Sequence, residues 1–320
     1  MYNQIDIIEF DINTTCNAFC PSCARHVVYD NELMRNPFVK FNESLPKEII
    51  EKVMQCELLS EDVGIDFVGL LGEPVAHNDI LEIIDIVFHY RPNAFINLHT
   101  NGGLRTKNFF KELASKFPKH NESIVKFSID GLKDTNHLYR RGVIWEKVME
   151  NIKTFVDAGG KAQLKYIIFP WNEHQVQEAK QLSKEIGLSK FKTTTDRSPK
   201  DTAKYIKAAD VNYSTKQPIM EVQNVYSTIQ RKINDRCFSR KSIYVNVSGH
   251  VVPCCMINGG LVDSRFLEET KNFIYNEQYN WNNLENYSLA DIMNNSWWQS
   301  LYQSFSDQPC TVCNFSCGVN

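Results

Sequence analysis

The sequence predicts an α/β fold: a partial (β/α)6 TIM-like barrel, open on one side, followed by a small C-terminal α+β domain. Three observations lead there. Between Ile5 and Thr195, six short β-rich runs alternate with amphipathic helical stretches, the pattern of βαβ units around a parallel sheet. The alternation stops after Asp196, where a lysine-rich polar stretch begins. The ten cysteines are gathered into groups, mostly near the two ends of the chain.

The predicted strands are Ile5–Ile12, Gly64–Leu70, Ala94–His99, Ile124–Ile129, Ala162–Phe169 and Lys190–Thr195. Between them, apolar residues recur at helical spacing in Pro46–Leu58, Asn78–Phe88, Lys107–Phe117, Trp145–Val156 and Glu173–Ile186. Pro46 suits a first helical position with Ser44 as its cap, and Gly159-Gly160 stops the chain before the fifth strand. Residues 1–196 therefore form the barrel, 197–236 a linker or peripheral helix, and 237–320 the second domain. Within that domain Ser242–Val247 and His250–Cys254 flank Ser248-Gly249, a hairpin signal. Leu289–Phe305 reads as one helix with Ile292, Met293, Trp297 and Leu301 on a face, and residues 307–320 form a cysteine-bearing tail.

Composition narrows the function. The chain has 320 residues, 42% of them hydrophobic and 23% charged, with 35 basic against 38 acidic groups for a formal charge of -3. That is ordinary globular composition. The near-neutral balance offers no footprint for duplex nucleic acid, no apolar run is long enough to span a bilayer, and the N-terminus lacks a secretory signal. The expected compartment is the cytoplasm, where thiols stay reduced, so the cysteines call for metal rather than disulfides. Their grouping suggests two metal sites. Cys56, on the apolar face of Pro46–Leu58, is expected in the core.

Cys16, Cys20 and Cys23 follow the first strand as C-x3-C-x2-C. Three thiolates on one loop can hold three irons of a cubane cluster and leave the fourth without a protein ligand. A structural zinc site, with a fourth ligand such as His26, is the alternative. The spacing resembles that of the radical S-adenosylmethionine (SAM) superfamily, and further segments extend the likeness. Leu71-Gly72-Glu73-Pro74 resembles the family's Gly-Gly-Glu-Pro stretch, with Leu71 in place of the first glycine. Thr100-Asn101-Gly102 resembles its threonine-asparagine-glycine turn. Ser128-Ile129-Asp130-Gly131, with His137 and Arg141-Gly142 beyond it, resembles the segment that receives ribose and the SAM carboxylate. These stand at the carboxyl ends of successive strands, where such sheets place their sites.

The resemblance implies roles. Gly72 and Glu73 would meet the SAM amino group, glycine by close backbone approach and the carboxylate by a charge-assisted bond. Asn101 belongs to the same cofactor set, Ser128 or Asp130 would bond ribose, and Arg141 would pair with the carboxylate. Ser22 stands where an aromatic residue is usual, so adenine would rest on Phe19 or on a fifth-strand residue. An electron from a flavodoxin or ferredoxin would cleave SAM to a 5′-deoxyadenosyl radical that abstracts hydrogen from a small-molecule or peptide substrate.

The later cysteines fit the same picture. Cys237, eleven residues, Gly249, four residues and Cys254, followed by Cys310-x2-Cys313-x3-Cys317, resemble the twitch and SPASM extensions that carry auxiliary [4Fe-4S] clusters. Full SPASM domains use seven cysteines for two clusters. Six are present here with Cys255, so one auxiliary cluster of the shorter twitch type is expected. Its ligands would be Cys237, Cys254, Cys310 and Cys313, with Cys317 as the leading substitute. Cys255 stays open between ligand, substrate-facing thiol and packed bystander, and zinc is again the alternative. His77 and His99 lie near the presumed site but read more simply as structural. Packing is likewise the simpler role for Trp297-Trp298 and the aromatic stretch 273–287. Because the first strand begins by Ile5, no leader-binding domain is expected ahead of it, which favours a small molecule or a peptide delivered by a separate carrier. A non-catalytic iron–sulfur or zinc scaffold, or an electron carrier, is the competing class.

Overall fold

The computed structural model describes residues 3–30, 32–119, 122–195, 213–214, 216–221, 231–275 and 281–319. Of the expected linker 197–236, residues 197–212, 215 and 222–230 lie outside the described residues, and the remainder includes the two short strands at 213–214 and 232–233. Among those described, β1 (Ile5–Phe10), β2 (His26–Tyr29), β3 (Glu32–Arg35), β4 (Leu59–Phe67), β5 (Phe95–Thr100), β6 (Ile124–Ser128), β7 (Ala162–Ile168), β8 (Lys190–Thr195), β9 (Tyr213–Ser214), β10 (Lys232–Ile233), β11 (Ser242–Val245), β12 (Val251–Val252) and β13 (Gly318–Val319) follow in chain order. The main sheet runs β12-β11-β1-β4-β5-β6-β7-β8. Its six central barrel strands are the six the sequence predicts, all paired in parallel. The helices α1 (Lys47–Met54), α2 (Ile80–Tyr90), α3 (Lys107–Lys116), α4 (Asn136–Tyr139), α5 (Trp145–Asp157) and α6 (Val176–Glu185) follow β3, β4, β5, β6, α4 and β7 respectively.

Alternation along each strand sorts residues onto two faces. Ile8 and Phe10, Ile65 and Phe67, Ile96 and Leu98, Val125 and Phe127, and Leu164 and Tyr166 are buried in one core with the helix residues Ile50, Val53, Ile84, Phe110 and Phe155. The opposite, concave face carries Glu9, Asp66, Asn97, His99, Lys126, Lys165 and Lys192. Fully buried parallel strands usually run apolar on both faces. Here the inner face is polar, as a working cavity requires.

Four local differences from the sequence reading have physical causes. β4 begins at Leu59 rather than Gly64: Leu59 already pairs with Ile5, and Ser60, Glu61 and Asp62, which interrupt the apolar pattern, fall in a register shift before Gly64 pairs with Ile7. Pro46 is itself the α1 cap, with an extended backbone, while Ser44 bridges to Asn13. The expected helix 289–305 is two, Leu289–Met293 and Trp297–Ser304, parted at Asn294, Asn295 and Ser296, with Ser288 and Asp291 forming a capping box on the first. The hairpin β11–β12, turning at Gly249 with φ +76° as predicted, joins the barrel sheet, with β11 parallel to β1.

Candidate active site

The loop after β1 and the loop after β4 are stitched together backbone to backbone. The Glu73 N–H donates to the Thr15 carbonyl at 2.7 Å, and the Asn13 Nδ2 donates to the Glu73 carbonyl at 3.0 Å. A Cβ at Gly72 would sit 2.0 Å from the Asn13 carbonyl oxygen, so only glycine allows this approach. Asp11, buried at the end of β1, accepts from the Leu71 N–H at 3.2 Å. Burial pushes its carboxyl up to about 7, against the pull of the Tyr244 hydroxyl. Sequence reasoning missed Asp11, whose only signal is an acid where the strand meets its loop.

Glu73 and Asn101 form the centre. Glu73 Oε2 accepts from the Asn101 N–H at 2.7 Å, while its Oε1 is buried with no hydrogen-bond partner among the described residues. Burial raises this carboxyl to about 7, with the Asn101 N–H opposing. The Asn101 side chain turns the other way, its Nδ2 lying 2.9 Å from Asn17 Oδ1 and 3.7 Å from Cys16 Sγ. One residue thus touches both the carboxylate and the cysteine loop.

Within that loop Cys20 is buried and Cys16 and Cys23 are half-buried. Burial pushes Cys16 up to about 12 and Cys20 up to about 11, Arg140 opposing it at Cys20. Such thiols stay protonated until a metal displaces the proton. Cys23 Sγ lies 4.0 Å from the Leu70 carbonyl. His26 Nδ1 donates to the Cys20 carbonyl at 3.1 Å, and burial holds the imidazole down to about 4.

Asp130, fully buried after β6, accepts from the Ile167 N–H at 2.6 Å and pairs with Arg140 Nε at 2.5 Å. Desolvation raises its carboxyl despite Arg140. Arg140 Nη1 also reaches Cys20 Sγ at 3.8 Å. The sequence singled out Arg141. Its Nε donates to the Leu138 carbonyl at 3.3 Å, its carbonyl accepts from the Phe19 N–H, and Cys20 is the charge it feels. Arg140 is the neighbour that the motif reading passed over, because two consecutive arginines look alike in sequence. Ser128 closes β6 on the concave face.

The second cysteine group also comes together. Cys237 lies in the helix Arg236–Ser239, Cys254 precedes the helix Cys255–Gly260, and Cys310 caps the helix Thr311–Cys317, accepting from the Cys313 N–H at 3.4 Å. Cys313 feels Cys310, Cys254 and Cys237, and Cys237 feels Cys317. Cys255 turns instead towards the barrel: after burial, its largest influence is Glu9, which it meets by a hydrogen bond. A cavity of about 360 Å³ opens between the two cysteine groups, lined by Ser22, Cys23, Leu70, Cys255, Arg265 and Phe315 among others. Among the described residues no three His, Cys, Asp or Glu side chains converge closely enough to hold a single metal ion; a polynuclear cluster, whose metals lie apart, does not require it.

Other residues the sequence weighed are structural. His77 is satisfied by the Leu45 carbonyl and the Asp79 N–H. Trp298 and Trp297 donate to the carbonyls of Ile292 and Phe273 within packed aromatic neighbours. Cys56 follows α1 and packs against the core. His99, by contrast, lies on the concave face of β5, with Lys165 Nζ 3.4 Å from its Nδ1.

The model of the Radical SAM superfamily matches residues 11–183, and that of an iron–sulfur cluster-binding domain, SPASM, matches residues 237–318. Among curated proteins, GTP 3′,8-cyclase of Nautilia profundicola is 22% identical over 274 residues, 78% of this chain and 81% of that protein. Its namesake from Aliarcobacter butzleri is 23% identical over 276 residues, 78% of this chain and 80% of that protein. Among solved structures, anSMEcpe with bound AdoMet superposes with a TM-score of 0.58 at 15% identity, covering 93% of this chain and 79% of that one. Streptococcus suis SuiB bound to S-adenosylmethionine gives 0.59 at 15% identity, covering 97% and 72%. These superpositions agree with the open barrel. Among the described residues no helix is long and apolar enough to cross a membrane. The first family model spans more than half of the chain, so the protein belongs to the radical SAM superfamily, with S-adenosylmethionine and [4Fe-4S] clusters as its cofactors and a C-terminal iron–sulfur cluster-binding domain.

Proposed function

We propose that the chain is an enzyme that reductively cleaves SAM and abstracts hydrogen from a small molecule or a peptide held between the barrel mouth and the C-terminal domain. The observation that carries this reading is the junction at Asn101. Its backbone holds Glu73 and its side chain meets the Cys16 loop, so a carboxylate and three thiols address one space. The residues present fit the cofactors: the buried Glu73 Oε1 lacks a partner among the described residues and suits an ammonium group, and three thiols leave one cubane iron free for a ligand. When bound, the cluster and SAM supply the 5′-deoxyadenosyl radical.

The chain's own residues bind and orient. Cys16, Cys20 and Cys23 hold the first cluster. Gly72 and Glu73 take the amino group, and Asn101 sets the orientation of Glu73. Ser128 or Asp130 receives ribose, Ser128 being the more accessible of the two beside the buried Asp130–Arg140 pair, and Arg141 meets the carboxylate. Arg140 neutralises Asp130 and places positive charge beside Cys20. Cys237, Cys254, Cys310 and Cys313 hold an auxiliary cluster, with Cys317 as the alternative fourth ligand. Residues 1–196 and 237–320 are the two units that carry these sites. The electron donor is a flavodoxin or ferredoxin, and the compartment is the cytoplasm. Anaerobic reconstitution with dithionite and SAM yields 5′-deoxyadenosine on this reading, and a Cys20→Ala variant yields none. A fully clustered sample that forms no product overturns it in favour of a scaffold or electron carrier.

A further inference from the structure

The concave face of the barrel is not evenly charged. Strand register puts Glu9 beside Asp66 on β1 and β4, whereas His99 stands beside Lys126 on β5 and β6, and Lys165 beside Lys192 on β7 and β8. Like charges directly opposite one another destabilise a sheet. Lys126 and Lys165 are half-buried, and Lys192 is exposed at the open side. Among the described residues none of the three has a carboxylate within ion-pair distance. The nearest acids are engaged elsewhere: Asp66 accepts from Asn97, and Asp130 pairs with Arg140. Neither His99, which burial and the two lysines keep neutral, nor Gln163 beside Lys126 brings negative charge. Burial is the largest influence and weakens the protonated forms of Lys126 and Lys165; neighbouring cations add to it, while Asp66 at Lys126 and Asp130 at Lys165 oppose it without reversing it. A row of cations whose nearest carboxylates lie beyond ion-pair distance and offset them only in part is an arrangement by which a site recognises an anion.

We propose that Lys126, Lys165 and Lys192, with His99 beside Lys165, form an anion subsite that holds a carboxylate or phosphate of the substrate. This assignment rests on the reading that the concave face is where substrate is held. Lys165 is the register partner of Ser128 and lies within electrostatic reach of Asp130 and Arg140, so an anion seated on the wall stands next to the space assigned to SAM. The exposed Lys192 at the barrel's open edge supplies the entrance, and the two half-buried lysines the seat.

The test uses the full chain, cluster-loaded and saturated with SAM, titrated by calorimetry with pyrophosphate, with succinate, and with chloride at matched ionic strength. Saturable binding of pyrophosphate or succinate that chloride does not reproduce, at least tenfold weaker in K126Q/K165Q and retained in K126R/K165R, supports the subsite, and the preferred anion assigns phosphate or carboxylate. Lysine labelling of the unmutated chain gives an independent readout if the double variant misfolds: the bound anion shields Lys126 and Lys165 and leaves the exposed Lys107 reactive. No binding above chloride, binding unchanged in K126Q/K165Q, or displacement of the anion by SAM overturns the proposal. Formation of 5′-deoxyadenosine is measured on the same samples. Its presence without anion binding rejects the subsite alone, and its absence with anion binding intact rejects the radical chemistry alone.

Discussion

Replacing Glu73 with glutamine separates what the site needs from what the fold prefers. In the folded chain burial raises the Glu73 carboxyl from 4.5 to about 7. A raised acid binds its proton more tightly folded than unfolded, so stability falls as pH rises from 4.5 to about 7, and the full cost applies above that. At 1.36 kcal/mol per pH unit the penalty near pH 8 is about 3 kcal/mol. Glu73→Gln keeps the acceptor for the Asn101 N–H and carries no charge to bury. The SAM-free, cluster-free variant is therefore more stable than the parent, with an advantage that grows by about 2 kcal/mol between pH 5.5 and pH 8. Its SAM affinity moves the other way. Losing a hydrogen bond between charged groups costs about 1.5–3 kcal/mol, roughly a 10- to 150-fold weakening. Anaerobic denaturant titrations at the two pH values and calorimetry with SAM measure both. A variant whose stability advantage does not grow with pH refutes the burial argument, and one that binds SAM as tightly as the parent refutes the ammonium assignment.

Three further outcomes are expected. Arg140→Ala leaves Asp130 buried and uncompensated and lowers stability by about 3–5 kcal/mol in urea titrations, whereas removing one of the exposed pairs such as Lys107–Glu150 changes it by under about 1 kcal/mol. Gly72→Ala drives a methyl into the Asn13 carbonyl, so it both destabilises the chain by about 1–3 kcal/mol and weakens SAM binding by displacing Glu73, read together by melting and calorimetry. Cys310→Ala lowers the iron content of the reconstituted protein by about four atoms per chain, while Cys255→Ala, whose thiol faces Glu9, leaves it unchanged; equal iron in both variants removes Cys310 from the ligand set.

The barrel was readable because each of its strands carries apolar residues on the helix-facing side, from Ile8 to Leu164, and each helix repeats them at its own period. Ser60-Glu61-Asp62 hid the first half of β4, since the buried Ser60 and the exposed Glu61 and Asp62 erase the apolar pattern across a register shift in the pairing. The break at Asn294–Ser296 was invisible because the apolar spacing stays in phase across it. The hairpin β11–β12 was foreseen from Gly249, yet its place beside β1 was not: parallel pairing across more than 200 residues leaves no local trace. In the site, Gly72, Glu73 and Asn101 stood out through motif and strand-end position. Arg140, Asp11 and the lysine wall did not, because their meaning lies in which residues neighbouring strands set beside them.

The pairing of β11 with β1 has a mechanical consequence. β1 runs from its Phe10 end into the Cys16 loop, and β11 begins five residues after Cys237, so the two cysteine groups are tied to opposite ends of the same parallel ladder, Ile7 against Ser242 through Phe10 against Val245. Pulling the groups apart means breaking that ladder. The sheet therefore ties the two cysteine groups to each other at β1 and β11, while β8 lies at its opposite edge.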